Sequence, residues 1–363
     1  MSRNSRILLP LLVGLIVHLA ILIYIVTPNR KYLFHEKIVI DIPKEFAIIE
    51  KSTIGDFTKP KDDGANQVEV TDALDTLEAR NTSRKAIFFI ETSKRGTINP
   101  RQVCSIESAA KYNPFADVYL LLLDPPVNSE LLQDEGLQLV VRHYENVRVV
   151  QTSSERYFNG TSLESLWNSG KIGESLYPVE NWSNAMRILT ILRFGGIYFD
   201  LDMIIFRPLD DLPANWISFE TPHLTSNSAF GFQKGEKFAQ KILEEFNSNF
   251  NGEKWGINGP QLINRMLQRE CNMTLLGNTK SDECPNIVLF PPTVFHPLNY
   301  GWRLLFEEDK LNEVIIGISS SLGIHLWNHL SSKDIIRVGS KQPYGVLAQN
   351  HCPRAYWSCY KTF

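Results

Sequence analysis

The chain has 363 residues, 43% hydrophobic and 21% charged, with a formal net charge of −3. That is ordinary globular composition, enough for one large domain with additions or for two of about 100–200 residues. A chain with no basic excess lacks the electrostatic footprint that nucleic acid requires, so nucleic acid is excluded as a partner.

The first element in chain order is the uncharged apolar run from Ile7 to Val26. At about 1.5 Å per residue it covers the ~30 Å core of a bilayer. A cleaved signal peptide has a shorter apolar stretch, of about 7–15 residues, and a small-residue cleavage site. Thr27-Pro28-Asn29-Arg30 is a poor one. The run therefore reads as a retained signal-anchor behind a tail of residues 1–6. Arg3 and Arg6 face Arg30 and Lys31 across it, so charge does not set the orientation. N-x-[ST] triplets at Asn81, Asn159, Asn181 and Asn272 favour a lumenal body. The joint expectation is a single-pass type II membrane protein whose residues 27–85, weakly periodic and polar from 50 onward, form a stem.

The five cysteines, Cys104, Cys271, Cys284, Cys352 and Cys359, contain no C-x-x-C metal pair, and a lumenal body permits disulfides. Cys271 with Cys284 closes a short loop and is the first expected pair. Cys104 with Cys352 or Cys359 is the second.

From Ala86 the pattern changes. Ala86–Ile90, Asp117–Leu123 and Val147–Val150 are apolar strands, with a helix predicted over Arg101–Tyr112. Short apolar runs separated by helical stretches imply parallel strands with helices on both faces. A helix over Asn181–Phe194 stops at Gly195-Gly196, and strands are predicted at 196–206, 216–220 and 228–232. Helices near 236–249 and 259–269 follow, then strand-like runs at 286–290 and 323–327. The fold class is α/β: a nucleotide-binding sheet flanked by helices within residues 86–363.

Phe199-Asp200-Leu201-Asp202-Met203 carries two carboxylates two residues apart with apolar neighbours and no local base. Such a pair at a strand end suits a hard divalent cation, Mn²⁺ or Mg²⁺, which in turn can hold a diphosphate. Ligands of open α/β sheets collect at the carboxyl ends of strands. In the preceding helix, Asn184 and Arg187 share a face, and Arg187 suits a phosphate, a ribose or a structural carboxylate. His325, in an apolar strand-like run, is either a third metal ligand or a core residue. Asn227, and Asn258 in the Trp255–Gln261 stretch, offer amides to sugar hydroxyls or serve as loop structure.

Ile87–Ser93, Cys104–Ala110, Arg193–Asp202, Trp255-Gly256-x-x-Gly259-Pro260-Gln261-Leu262 and His325-Leu326-Trp327-Asn328 occur in one order across roughly residues 86–355. Together they resemble successive blocks of the α1,4-glycosyltransferases of glycolipid synthesis. The resemblance implies a GT-A-type fold and a retaining transferase in the Golgi membrane. The donor would be a UDP-sugar (UDP-galactose or UDP-N-acetylgalactosamine) and the acceptor a glycolipid. It further implies that Asp200, Asp202 and His325 hold the metal, that Thr92 approaches the nucleoside, and that Arg187 lies near the donor. The chain departs from relatives at Asn184, where Asp is frequent, and at Asn258, where Gln is frequent.

For such an enzyme, a divalent cation stabilises the charge that develops on the departing UDP. No second carboxylate stands out in the sequence as a nucleophile, which favours attack from the leaving-group face over a covalent intermediate. A haloacid-dehalogenase-type phosphatase also uses D-x-D, but normally with Thr or Val where this chain has Ile204. A non-catalytic lumenal glycan-binding protein is the other alternative.

Overall fold

The computed structural model describes residues 69–126, 134–271 and 286–363. The expected tail, the anchor at Ile7–Val26, most of the stem, Asn272 and Cys284 lie outside the described residues. Among the described residues, no helix is long and apolar enough to cross a membrane.

In chain order the elements are β1 (Val70–Asp72), α1 (Ala73–Glu78), β2 (Ala86–Glu91), α2 (Pro100–Tyr112), β3 (Asp117–Leu123), α3 (Glu135–His143) and β4 (Val147–Thr152). Two short helices, α4 (Ser154–Phe158) and α5 (Glu164–Asn168), lead to α6 (Pro178–Phe194), β5 (Gly196–Phe199) and β6 (Met203–Ile205). Then come β7 (Trp216–Thr221), β8 (Leu224–Phe232), α7 (Lys237–Ser248), α8 (Pro260–Cys271) and β9 (Val288–Phe290). The chain ends with α9 (Leu311–Gly317), β10 (Gly323–His325), α10 (Asn328–Ser331), α11 (Pro343–His351) and α12 (Pro353–Trp357).

One sheet runs β1-β4-β3-β2-β5-β8-β7-β9, and β10 pairs with β6 in a separate ribbon. β1 through β5 pair in parallel, whereas β8 is antiparallel to both β5 and β7. The sheet is thus mixed, with a parallel half. β2 and β3 are buried along their whole length, as strands covered on both faces must be. Alternate residues feed two cores. Ile87, Phe89, Leu120 and Phe199 pack with α2 and the C-terminal helices; Phe88, Leu121, Tyr198 and Phe230 pack with α6, α7 and α8. Pro100 at the start of α2 and an Asn99–Gln102 capping box define that helix's entry.

The structure departs from the sequence expectations at several points. The predicted strand over 196–206 is two strands in two sheets, because the chain turns at Asp200–Asp202. The expected stem overlaps the body: β1 pairs with β4, and Ala73, Leu74 and Leu77 of α1 are buried. α6 starts at Pro178, three residues before Asn181, since proline suits a first helical turn. Asn181 is 4% exposed and bonded to Asn258, so it is not an accessible glycosylation site in the folded chain; Asn81 and Asn159 are exposed. Cys104 pairs with Cys352 and leaves Cys359 free. Cys271 is disulfide-bonded, and Cys284, its expected partner, lies outside the described residues.

Candidate active site

The sheet reverses its strand order between β2 and β5: the chain adds β3 and β4 on one side of β2 and β5 on the other. In open α/β sheets this switch point opens a crevice at the strands' carboxyl ends. Glu91-Thr92 end one of these strands and Asp200 follows the other, so topology brings together residues more than a hundred positions apart.

Arg187 projects from the middle of α6 and is almost wholly buried. Its guanidinium lies 3.0 Å from Asp200 Oδ1 and donates to the Asn227 carbonyl at 2.6 Å. It also donates to Ser183, one turn earlier, and stacks 4.6 Å from the centre of the Tyr198 ring. The Tyr198 hydroxyl donates to the same Asp200 oxygen at 2.5 Å. Asp200 is therefore aimed by two donors before any ligand arrives.

Asp202 is held from the other side. β6 pairs with β10 in a register that sets His325 opposite Met203, which puts His325 Nε2 3.1 Å from Asp202 Oδ1. The Asn328 N–H donates to Asp202 Oδ2 at 3.0 Å. Trp327, at φ 55°, turns the chain so that this N–H points at the carboxylate. A left-handed bulky residue is a strained conformation of the kind that collects at ligand sites. The His325 ring packs against Trp327 at 4.6 Å and His296 at 5.3 Å, and His296 hydrogen-bonds Ser228, whose carbonyl accepts from the Asp200 N–H.

The charges answer one another. Burial, reinforced by Asp202, raises the pKa of Asp200 against the pull of Arg187. Burial also opposes ionisation of Asp202, but His325 and the Asn328 N–H outweigh it and hold that carboxyl below its ordinary range. Burial depresses His325, yet Asp202 and Asp200 lift it above the usual histidine value. One donor atom from each of Asp200, Asp202 and His325 lies within 4.8 Å of the others. Two carboxylates and an imidazole, converged and partly buried, fit a divalent cation of the Mn²⁺ or Mg²⁺ kind.

The remaining predicted residues take varied places. Thr92 is buried, and its hydroxyl donates to the Val179 carbonyl at 2.9 Å, tying β2 to α6. A cavity of about 180 Å³ opens beside it, lined by Glu91, Ser93, Arg95 and Asn99 among others. Asn184 Oδ1 accepts from Asn227 Nδ2 at 2.6 Å, next to Arg187. Gly259 lies directly on this amide pair: a Cβ there would stand 2.5 Å from Asn227 Nδ2, so any larger residue would push that amide aside. Asn258 spends its amide inside the fold, donating to Asn181 and the Asn251 carbonyl and accepting from the Asn251 N–H. It is a staple of the 251–261 loop. Tyr198, His296 and the Asn328 N–H were not singled out by the sequence pattern. Asn328 lies inside the His325–Asn328 block, whereas His296 carries no local signal.

A family model described as the DXD-containing glycosyltransferase sugar-binding region matches residues 99–219, and one described as the α1,4-glycosyltransferase conserved region matches residues 231–359. The human α1,4-N-acetylglucosaminyltransferase is 31% identical over 77% of this chain and 82% of its own length. The chain belongs to the α1,4-glycosyltransferase family. Another relative, the mouse (Mus musculus) lactosylceramide 4-α-galactosyltransferase, is 28% identical over 74% of this chain and 75% of its own. Among solved structures, the PaToxG glycosyltransferase covers 52% of this chain and 69% of its own at 21% identity, with a TM-score of 0.42. DXD-containing glycosyltransferases typically use a UDP-sugar with a divalent metal, and the D-x-D of this family member is Asp200-Leu201-Asp202.

Proposed function

We propose that the chain is a retaining transferase of GT-A type that moves galactose or N-acetylgalactosamine from its UDP-sugar, in α1,4 linkage, onto the terminal sugar of a glycosphingolipid at the Golgi membrane. The observation that carries the reading is the convergence of Asp200, Asp202 and His325 at the carboxyl edge of the sheet, beside the switch point. Those residues would hold Mn²⁺ or Mg²⁺, which when bound supplies Lewis-acid stabilisation of the diphosphate's developing charge. Arg187 keeps Asp200 aimed, and the Asn328 N–H keeps Asp202 aimed, so neither must reorganise as the donor reacts. Glu91, Ser93 and Arg95, in the cavity beside Thr92, are proposed to face the nucleoside in place of Thr92 itself. The Asn184–Asn227 pair under Gly259 is proposed to line the donor sugar. An N-terminal anchor over Ile7–Val26 would keep the body near a lipid-borne acceptor.

N-acetylglucosamine is the second donor reading, favoured by the 31% identical human relative. The test is a panel of the three UDP-sugars with lactosylceramide and Mn²⁺, using the full-length chain in detergent and reading UDP release and product linkage. An α1,4-linked product is expected. A chain that consumes none of them, whatever cation is supplied, is a glycan-binding protein and ends the proposal. Family membership sets the phosphatase alternative aside.

A further inference from the structure

β7 is antiparallel to β8, and β8 to β5, so β7 points the same way as β5 and its carboxyl end opens on the edge where Asp200 stands. The β7–β8 ladder slips between Ile217 and Phe219 and again before Thr221. Irregularities of this kind re-aim side chains next to sites. Inside the second slip, between Phe219 and Thr221, lies Glu220, a half-buried carboxylate outside the D-x-D. The Tyr300 hydroxyl donates to Glu220 Oε1 at 3.0 Å, the Tyr300 ring packs on Trp327 at 5.5 Å, and Trp327 abuts the metal-site His325. Glu220 lies within electrostatic reach of His325 and Asp200 yet outside their cluster of ligand atoms. Two residues past Trp327, His329 stacks on Trp255 at 5.6 Å, and Trp255 is 52% exposed. The segment 325–329 thus turns a metal ligand inward while its neighbours present a carboxylate and an open aromatic face.

We propose that this outer side is the acceptor subsite, with Glu220, held by Tyr300, accepting hydrogen bonds from the hydroxyls of a terminal β-galactoside and Trp255, backed by His329, covering the sugar's apolar ring face. A sugar ring is polar at its rim and apolar on its C–H face, and oriented polar groups beside an aromatic wall match both. An exposed indole with one face already stacked needs little further ordering to bind. The inference rests on the transferase reading, and its test separates the two. Full-length enzyme, Glu220→Gln and Trp255→Ala are compared for UDP release from UDP-sugar without acceptor, for UDP affinity with Mn²⁺, and for KM toward octyl β-lactoside. Both variants should raise the acceptor KM about tenfold or more while acceptor-free UDP release and UDP affinity stay within about twofold, and Trp255→Tyr should restore most of the KM. Unchanged acceptor KM in both variants, or UDP affinity falling in step with it, would overturn the subsite. If the unaltered enzyme released no UDP, the transferase reading would fail first and take the subsite with it.

Discussion

At Arg187 one guanidinium meets Asp200, the Asn227 carbonyl, Ser183 and the face of Tyr198. Only a planar fork of donors can bond in several directions and stack at once, so lysine is not equivalent here. Arg187→Lys should lower Mn²⁺ affinity or transfer rate by about 10–100-fold, the usual range for residues that orient metal ligands. Titration of Mn²⁺ by electron paramagnetic resonance would check this, and unchanged affinity and rate would show that Asp200 is aimed without the fork. Asp202→Asn removes the charge but leaves an oxygen to accept the Asn328 N–H. Transfer should fall by at least about 100-fold with the melting temperature little changed, since the lost term acts on developing charge and not on packing. Normal turnover by this variant would contradict the metal-site role of Asp202.

At the level of elements, β5 positions the D-x-D and depends on Gly196. Its φ of 122° is open to glycine, and a Cβ there would stand 2.5 Å from the Ala86 carbonyl oxygen on β2. Gly196→Ala should therefore cost about 2 kcal/mol or more, measured by urea denaturation, and should lower activity because Asp200 moves with the strand. The α2–α12 contact carries a different signature. Glu107 on α2 is fully buried and accepts from the Arg354 and Ala355 N–H groups at the start of α12. Burial raises its pKa above the ordinary glutamate value despite those bonds. The folded state thus binds this proton more readily than the unfolded chain. The stability from this group is complete below the unfolded value of about 4.3 and is lost as pH rises through the folded value. Subtracting the melting profile of Glu107→Gln from that of the native chain should expose a component that declines with rising pH. A difference flat across that window would mean that Glu107 is not protonated preferentially in the fold.

For the whole molecule, two cores on opposite faces share one sheet, and the C-terminal helices close the first of them. The Cys104–Cys352 disulfide spans a sequence separation of 248 and ties α2 to the α11–α12 corner. A Cys104→Ser/Cys352→Ser pair should lose about 2–5 kcal/mol, mainly through a freer unfolded chain. Denaturation under oxidising conditions would measure it; an unchanged midpoint would mean that packing alone holds the corner. The strand order that forms the crevice is a property of this same scale. No local segment encodes that β5 sits beside β2 and not beyond β4.

Much of the architecture was legible because its determinants are local. Apolar strands such as Asp117–Leu123 need burial on both faces wherever they fall, whereas the D-x-D is a weak signal alone and pointed to a transferase only in company with the ordered blocks around it. The ordered blocks from Ile87 to Asn328 likewise carried the family. Tertiary structure decided the rest, because the rest consists of partnerships between distant residues. The β6–β10 register delivers His325 to Asp202, the bend at Asp200–Asp202 splits one apparent strand between two sheets, and the loop around Asn251 claims the Asn258 amide. Sequence states which groups can bond; the closure of long loops determines which of them meet.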